Sequence, residues 1–148
     1  MKQSNHSAPT FDIPVTITAE FTGNVTPVLH EIRHALGVFL KTGEQTIIDL
    51  RSMPLAPGEM EHIEKELGEG EVSVVLNALG RSEIIETQYP GVWLTSHYNA
   101  EDAMLGKYIE IALVPEILLA QLSDIKSGLE RLREKLNSTS TEKINETI

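Results

Sequence analysis

Cysteine is absent from this chain of 148 residues. That excludes disulfides, thiolate nucleophiles, Cys-ligated zinc and the all-Cys ligation of iron–sulfur clusters. Any metal would have to be held by His, Asp or Glu. No uninterrupted apolar run reaches membrane-spanning length, and the polar start, residues 1–10, does not read as a signal peptide. A cytoplasmic chain is expected. Cations are few, with 12 Lys and Arg against 22 Asp and Glu, a formal net charge of −10. That balance disfavours nucleic-acid phosphate and anionic membranes and suits a basic partner segment. No internal repeat is visible.

What is present fits one globular domain: 41% hydrophobic and 23% charged residues, in a length that allows a single sizeable core. Residues 1–10 and 137–148 are polar and read as flexible tails around a domain over 11–136. Alternation over residues 11–21 predicts a first strand, with Pro14 placing it at an edge. Thr26 as N-cap, Pro27 at the first helical position and Gly43 beyond the end bracket a helix. Its apolar stripe is Val25, Leu29, Ile32, Leu36 and Phe39, joined by Val28, Ala35 and Leu40. A short strand follows at 46–50 and a second helix at 59–67. Turn residues then separate strands at 72–78, 83–88, 92–98 and 107–114, whose short links favour antiparallel neighbours. Pro115 opens a last helical region with Leu118, Leu122, Ile125, Leu129, Leu132 and Leu136, which Ser123 would cap in part. The fold class is α+β, a mostly antiparallel sheet packed against about three helices.

The candidate sites each have a plain structural reading. His30-Glu31-Ile32-Arg33-His34 spells H-E-x-x-H, in which two imidazoles on one helix face hold zinc and the Glu acts as base. Leu40 replaces the third His of the extended motif. His30 and His34 also lie nearly opposite the apolar stripe, so a solvated helix face is expected, with a zinc hydrolase as the alternative. Trp93 begins a strand and reads as a core anchor or, together with Tyr108 on the less protected sheet face, as a partner contact. His97 falls mid-strand, with no catalytic arrangement legible around it. Arg51 reads as a surface ion-pair partner or an anion contact near the second helix. Glu59, Glu61, Glu64, Glu66, Glu69 and Glu71 form an acidic cluster, and Glu61, Glu64 and Glu66 are its candidate docking residues for a basic peptide. The last leucine stripe reads as core, with a homodimer or a partner helix as the alternative.

Five pieces taken together resemble the C-terminal domain of the HupH/HyaF hydrogenase expression/formation family. They are Glu31-Ile32-Arg33-His34-Ala35-Leu36, Ile48-Asp49-Leu50-Arg51, Gly68-Glu69-Gly70-Glu71-Val72, Pro90-Gly91-Val92-Trp93, and Ile109-Glu110 with Pro115. The resemblance implies a non-enzymatic accessory role in maturing [NiFe] hydrogenase, as a chaperone for the iron–sulfur small subunit. It implies no cofactor of the chain's own. The implied partners are the small-subunit precursor and other maturation proteins. Longer family members carry additional sequence before this domain.

Overall fold

The computed structural model describes residues 23–145; the strand expected over residues 11–21 lies outside them. Helix α1 spans Val25–Thr42 and ends at Gly43, whose left-handed φ of 74° lets its N–H reach the Phe39 carbonyl, the arrangement that terminates helices at glycine. Strand β1 (Thr46–Asp49) follows, then α2 (Glu59–Leu67), β2 (Ser73–Asn77), β3 (Arg81–Glu86), β4 (Val92–Tyr98) and β5 (Met104–Ile111). A single 3-10 turn, Glu116–Leu118, leads to α3, Leu122–Asn145.

The five strands form one antiparallel sheet in the order β1-β5-β4-β3-β2. The meander from β2 to β5 follows from its short turns, and β1 adds to the free side of β5. The register puts Leu94 opposite Ile109, Val92 opposite Ile111 and Ile48 opposite Ile109, so these side chains share one face. On that face they bury Val25, Val28, Ile32 and Ala35 of α1 with Ile63 and Leu67 of α2 in one cluster. The opposite face carries Ile84, Trp93 and Thr95, which are also buried.

Several expectations shift. The residue before α1 is Asn24, not Thr26, and its side chain caps nothing in the helix. Its amide donates instead to the Pro54 carbonyl at 2.9 Å. The start of α1 is held by Glu59, whose Oε1 accepts the backbone N–H groups of Gly23 (2.9 Å) and Asn24 (3.3 Å). Pro27, expected at the first helical position, is the third residue of α1, still within the turn where no intrahelical N–H is needed. Leu40, expected on the buried stripe, is 84% exposed.

Strand β5 begins earlier than expected, because a bulge at His97 and Tyr98 carries the ladder on to Met104. It also ends earlier. Val92, the first residue of β4, already pairs with Ile111, so Leu113 and Val114 have no ladder partner and lie exposed. Residues 137–145, expected as tail, continue α3. There Ser138 and Thr139 turn their hydroxyls onto the Glu134 and Lys135 carbonyls four residues back, which lets such residues ride in a helix.

Candidate functional site

Of the candidate residues, His30, Glu31 and His34 stand on the exposed side of α1. No group of three or more His, Asp or Glu suited to a metal ion occurs among the described residues. Zinc chemistry therefore has no geometric support. Asp49, Glu59 and Glu61 offer no third ligand, since each is occupied elsewhere or exposed. Glu59 is fully buried and accepts from Ala56 as well as from Gly23 and Asn24. Asp49 Oδ1 accepts the Arg51 and Ser52 N–H groups in a local turn, and Glu61 is exposed. Arg51, for its part, donates to the Met104 carbonyl at 2.6 Å and so braces β1 against the start of β5.

The acidic cluster divides by burial. Glu59 is a structural acceptor. Glu64 pairs with Lys107, a buried cation on the core-facing side of β5, and so ties α2 to the sheet. Glu61, Glu66, Glu69 and Glu71 remain exposed, with Glu66 3.4 Å from His62 one turn earlier. Glu69 and Glu71 flank Gly70, whose N–H donates to the Glu86 carbonyl at 2.7 Å. Negative charge therefore gathers where the end of α2 meets the β3–β4 turn.

Trp93 is 5% exposed, and its indole N–H donates to the Ala112 carbonyl at 3.1 Å. It is thus an internal anchor rather than an offered contact. The sequence places it on the less protected face but does not reveal that the chain after β5 meets it there. Trp93→Phe is expected to cost about 1–3 kcal/mol, because the buried Ala112 carbonyl loses its donor; urea unfolding followed by circular dichroism measures it. Tyr108 is half-buried on the same face. Its ring stands over Gly106, where a Cβ would lie 2.6 Å from ring carbon, and 5.8 Å from the His97 ring centroid.

Sequence reasoning missed one pair. Ser82 Oγ and His97 Nδ1 lie 2.7 Å apart, because the β3–β4 register sets them opposite each other. Only the hairpin register could have signalled it. The pair sits mid-sheet, where the strand N–H groups serve the ladder. Two converging donors for an oxyanion, which acyl transfer needs, are therefore not offered by these strands. Beside it, Thr95 Oγ1 is buried with no hydrogen-bond partner among the described residues.

At the far end of the same hairpin Arg81 joins three elements. Its guanidinium lies 2.8 Å from Asp102, pairs with Glu83, and covers the Tyr98 ring at 4.2 Å. The hydrogen bond to Asp102 leads the causes that raise the Arg81 pKa above the ordinary arginine value.

An apolar trough runs along α1. Its main section, about 530 Å³, is lined by Leu36, Phe39, Leu40, Tyr89, Pro90 and Leu113, with Glu86 at the edge. It continues past Leu29, Ile32, Arg33 and Leu67 at one end and past Gly43, Val114 and Leu119 at the other. An open apolar trough beside an acidic flank is surface of the kind that binds a partner.

Residues 22–139 match the family described as HupH hydrogenase expression protein, C-terminal conserved region. The chain belongs to that family. It is 30% identical over 113 residues to the hydrogenase expression/formation protein HupQ of Azotobacter chroococcum mcd 1, covering 75% of this chain and 40% of HupQ. Against the hydrogenase expression/formation protein HupH of Rhodobacter capsulatus it is 31% identical over 96 residues, 65% of this chain and 35% of that one. The chain thus spans about 40% of the length of the first curated relatives it matches. Among solved structures, the hydrogenase expression protein HupH from Thiobacillus denitrificans ATCC 25259 superposes with a TM-score of 0.77 at 41% identity, covering 80% of this chain and 98% of that one.

Proposed function

We propose that this chain is a non-enzymatic accessory factor in [NiFe] hydrogenase maturation, one that holds the immature iron–sulfur small subunit in the cytoplasm. Membership of the HupH family over residues 22–139 carries the reading. The surface is compatible with it, since binding needs exposed complementary area rather than a reactive group. The exposed acids Glu61 and Glu66 on α2, continued by Glu69 and Glu71, form the flank suited to a basic segment of the client. Tyr108 offers a half-buried aromatic edge on the other sheet face. Glu64 belongs to the support of that flank, because its carboxylate serves Lys107. No helix among the described residues is long and apolar enough to cross a membrane.

Charge reversal separates the docking acids from the structural one. Glu61→Lys with Glu66→Lys is expected to weaken capture of the small-subunit precursor about tenfold at low salt, with a smaller loss at high salt, and to leave thermal stability nearly unchanged. Co-purification with the precursor, quantified by mass spectrometry, measures the first effect and a thermal melt the second. Undiminished capture removes the acidic flank from the interface. Failure of the wild-type chain to retain the precursor at all removes the chaperone reading.

A further inference from the structure

Helix α3 is amphipathic but uncovered. Leu122, Ile125, Leu129, Leu132 and Leu136 recur at alternating steps of three and four, the spacing that forms one continuous apolar seam. They are nevertheless 47–83% exposed, so no described element covers that seam. An apolar stripe of this kind is left in water only when something else meets it.

The same chain carries a surface of matching form. The trough along α1 extends from Leu29 to Gly43, about 21 Å at helical rise, and the seam from Leu122 to Leu136 extends equally far. Its wall is apolar and open: Leu40 is 84% and Leu113 78% exposed.

Charge distinguishes the trough from another α3 as the occupant of this seam. The positions flanking the seam are Lys126, Gly128, Arg133 and Lys135, of which Arg133 already pairs with Glu130 of its own helix at 2.9 Å. A coil of two α3 helices would find no acidic partner along those flanks, whereas flanking charges of opposite sign are what stabilise such coils. The trough has one acid in its lining and two more near lining residues in the chain. Glu86 lines it, Glu44 lies between the lining residues Gly43 and Gln45, and Glu116 opens the turn that leads to Leu119. Arg33 is the cation that lines its other end.

We infer that α3 of one copy seats its seam in the α1 trough of a second copy, reciprocally, so that the protein is a helix-exchanged dimer. Reciprocity matters energetically. A specific interface buries roughly 1,000 Å² or more, and a second equivalent contact doubles whatever area the first contributes. The link to α3 begins at Leu119, whose backbone is extended and whose side chain lines the trough's own end, so the helix starts beside the trough. The inference stands apart from the identity of any client.

Light scattering coupled to size exclusion on the full chain tests it. The wild type is expected as a dimer at tens of micromolar. Leu129→Asp on the seam, and separately Leu40→Asp or Leu113→Asp on the trough, should each raise the dimer dissociation constant about 30-fold or more. The trough side chains are exposed enough that folding is retained, and circular dichroism checks it. A monomeric wild type overturns the inference. So does a dimer that survives both trough substitutions but not Leu129→Asp, because that pattern means helix-on-helix pairing. The cysteine-free background permits a second measurement that does not depend on destabilising anything. Leu40→Cys and Leu129→Cys variants of different tagged size are mixed and joined with a bismaleimide. The mixed product should predominate over either homodimeric one, and predominance of the Leu129→Cys homodimer overturns the proposal.

Discussion

Glu59→Ala is expected to destabilise the domain by about 4 kcal/mol, although Glu59 sits in a run of acids that reads as a solvated helix face. Its carboxylate is fully buried and accepts three backbone N–H groups, from Gly23, Asn24 and Ala56. A fully buried donor left without an acceptor costs about 1–3 kcal/mol, and these part-buried ones fall toward the lower end of that range. Alanine also removes the link between the start of α1 and the loop that leads into α2. Glu59→Gln should cost less, about 2 kcal/mol, because it keeps one carbonyl acceptor but turns an amide N–H toward a donor. Urea unfolding followed by the emission of Trp93, the single tryptophan, measures both. A cost below about 1 kcal/mol for the alanine variant would mean that water replaces the carboxylate at those N–H groups.

Ile109→Ala should have a comparable effect by a different mechanism. Ile109 is fully buried between Ile48 and Leu94 in the sheet, beneath α1 and α2. Removing its branched side chain loses transfer energy and leaves a cavity that strands fixed by hydrogen bonds on both sides cannot close. The expected cost is about 3–4 kcal/mol, or roughly 10 °C in melting temperature for a chain of this size. The slope of the urea transition should stay at its wild-type value, since the surface exposed on unfolding hardly changes. The contrast with Ile47→Ala is diagnostic. Ile47 precedes the buried Ile48 on β1 but points to the other face and is exposed, so its loss should stay within about 0.5 kcal/mol.

Parts of this protein are legible in its linear order because the information is local. The alternation from Val92 to Tyr98 between a Pro-Gly turn and Asn99 marks β4 to the residue. The bounds of α2 likewise match, and Gly43 ends α1 as its left-handed conformation requires. Short turns between apolar runs are enough to imply an antiparallel meander. The exposed His30 and His34 follow from their place opposite the apolar stripe.

The order of β1 beside β5, the bulge that moves β5 to Met104, the Ser82–His97 pair and the burial of Trp93 all depend on register between segments distant in the chain. So does the sorting of the glutamates, for Glu59 serves donors 35 and 36 residues away and Glu64 serves Lys107. Composition alone established that this chain holds no thiol chemistry and that its charge is acidic. Periodicity established α1, α2 and the β2–β5 meander, though not the bounds of β5 or the reach of α3. Which acids are structural, which apolar surfaces stay open, and that no described element covers the α3 seam were decided only by tertiary packing, because hydrogen bonds and apolar contacts form between whichever groups the completed fold brings within reach.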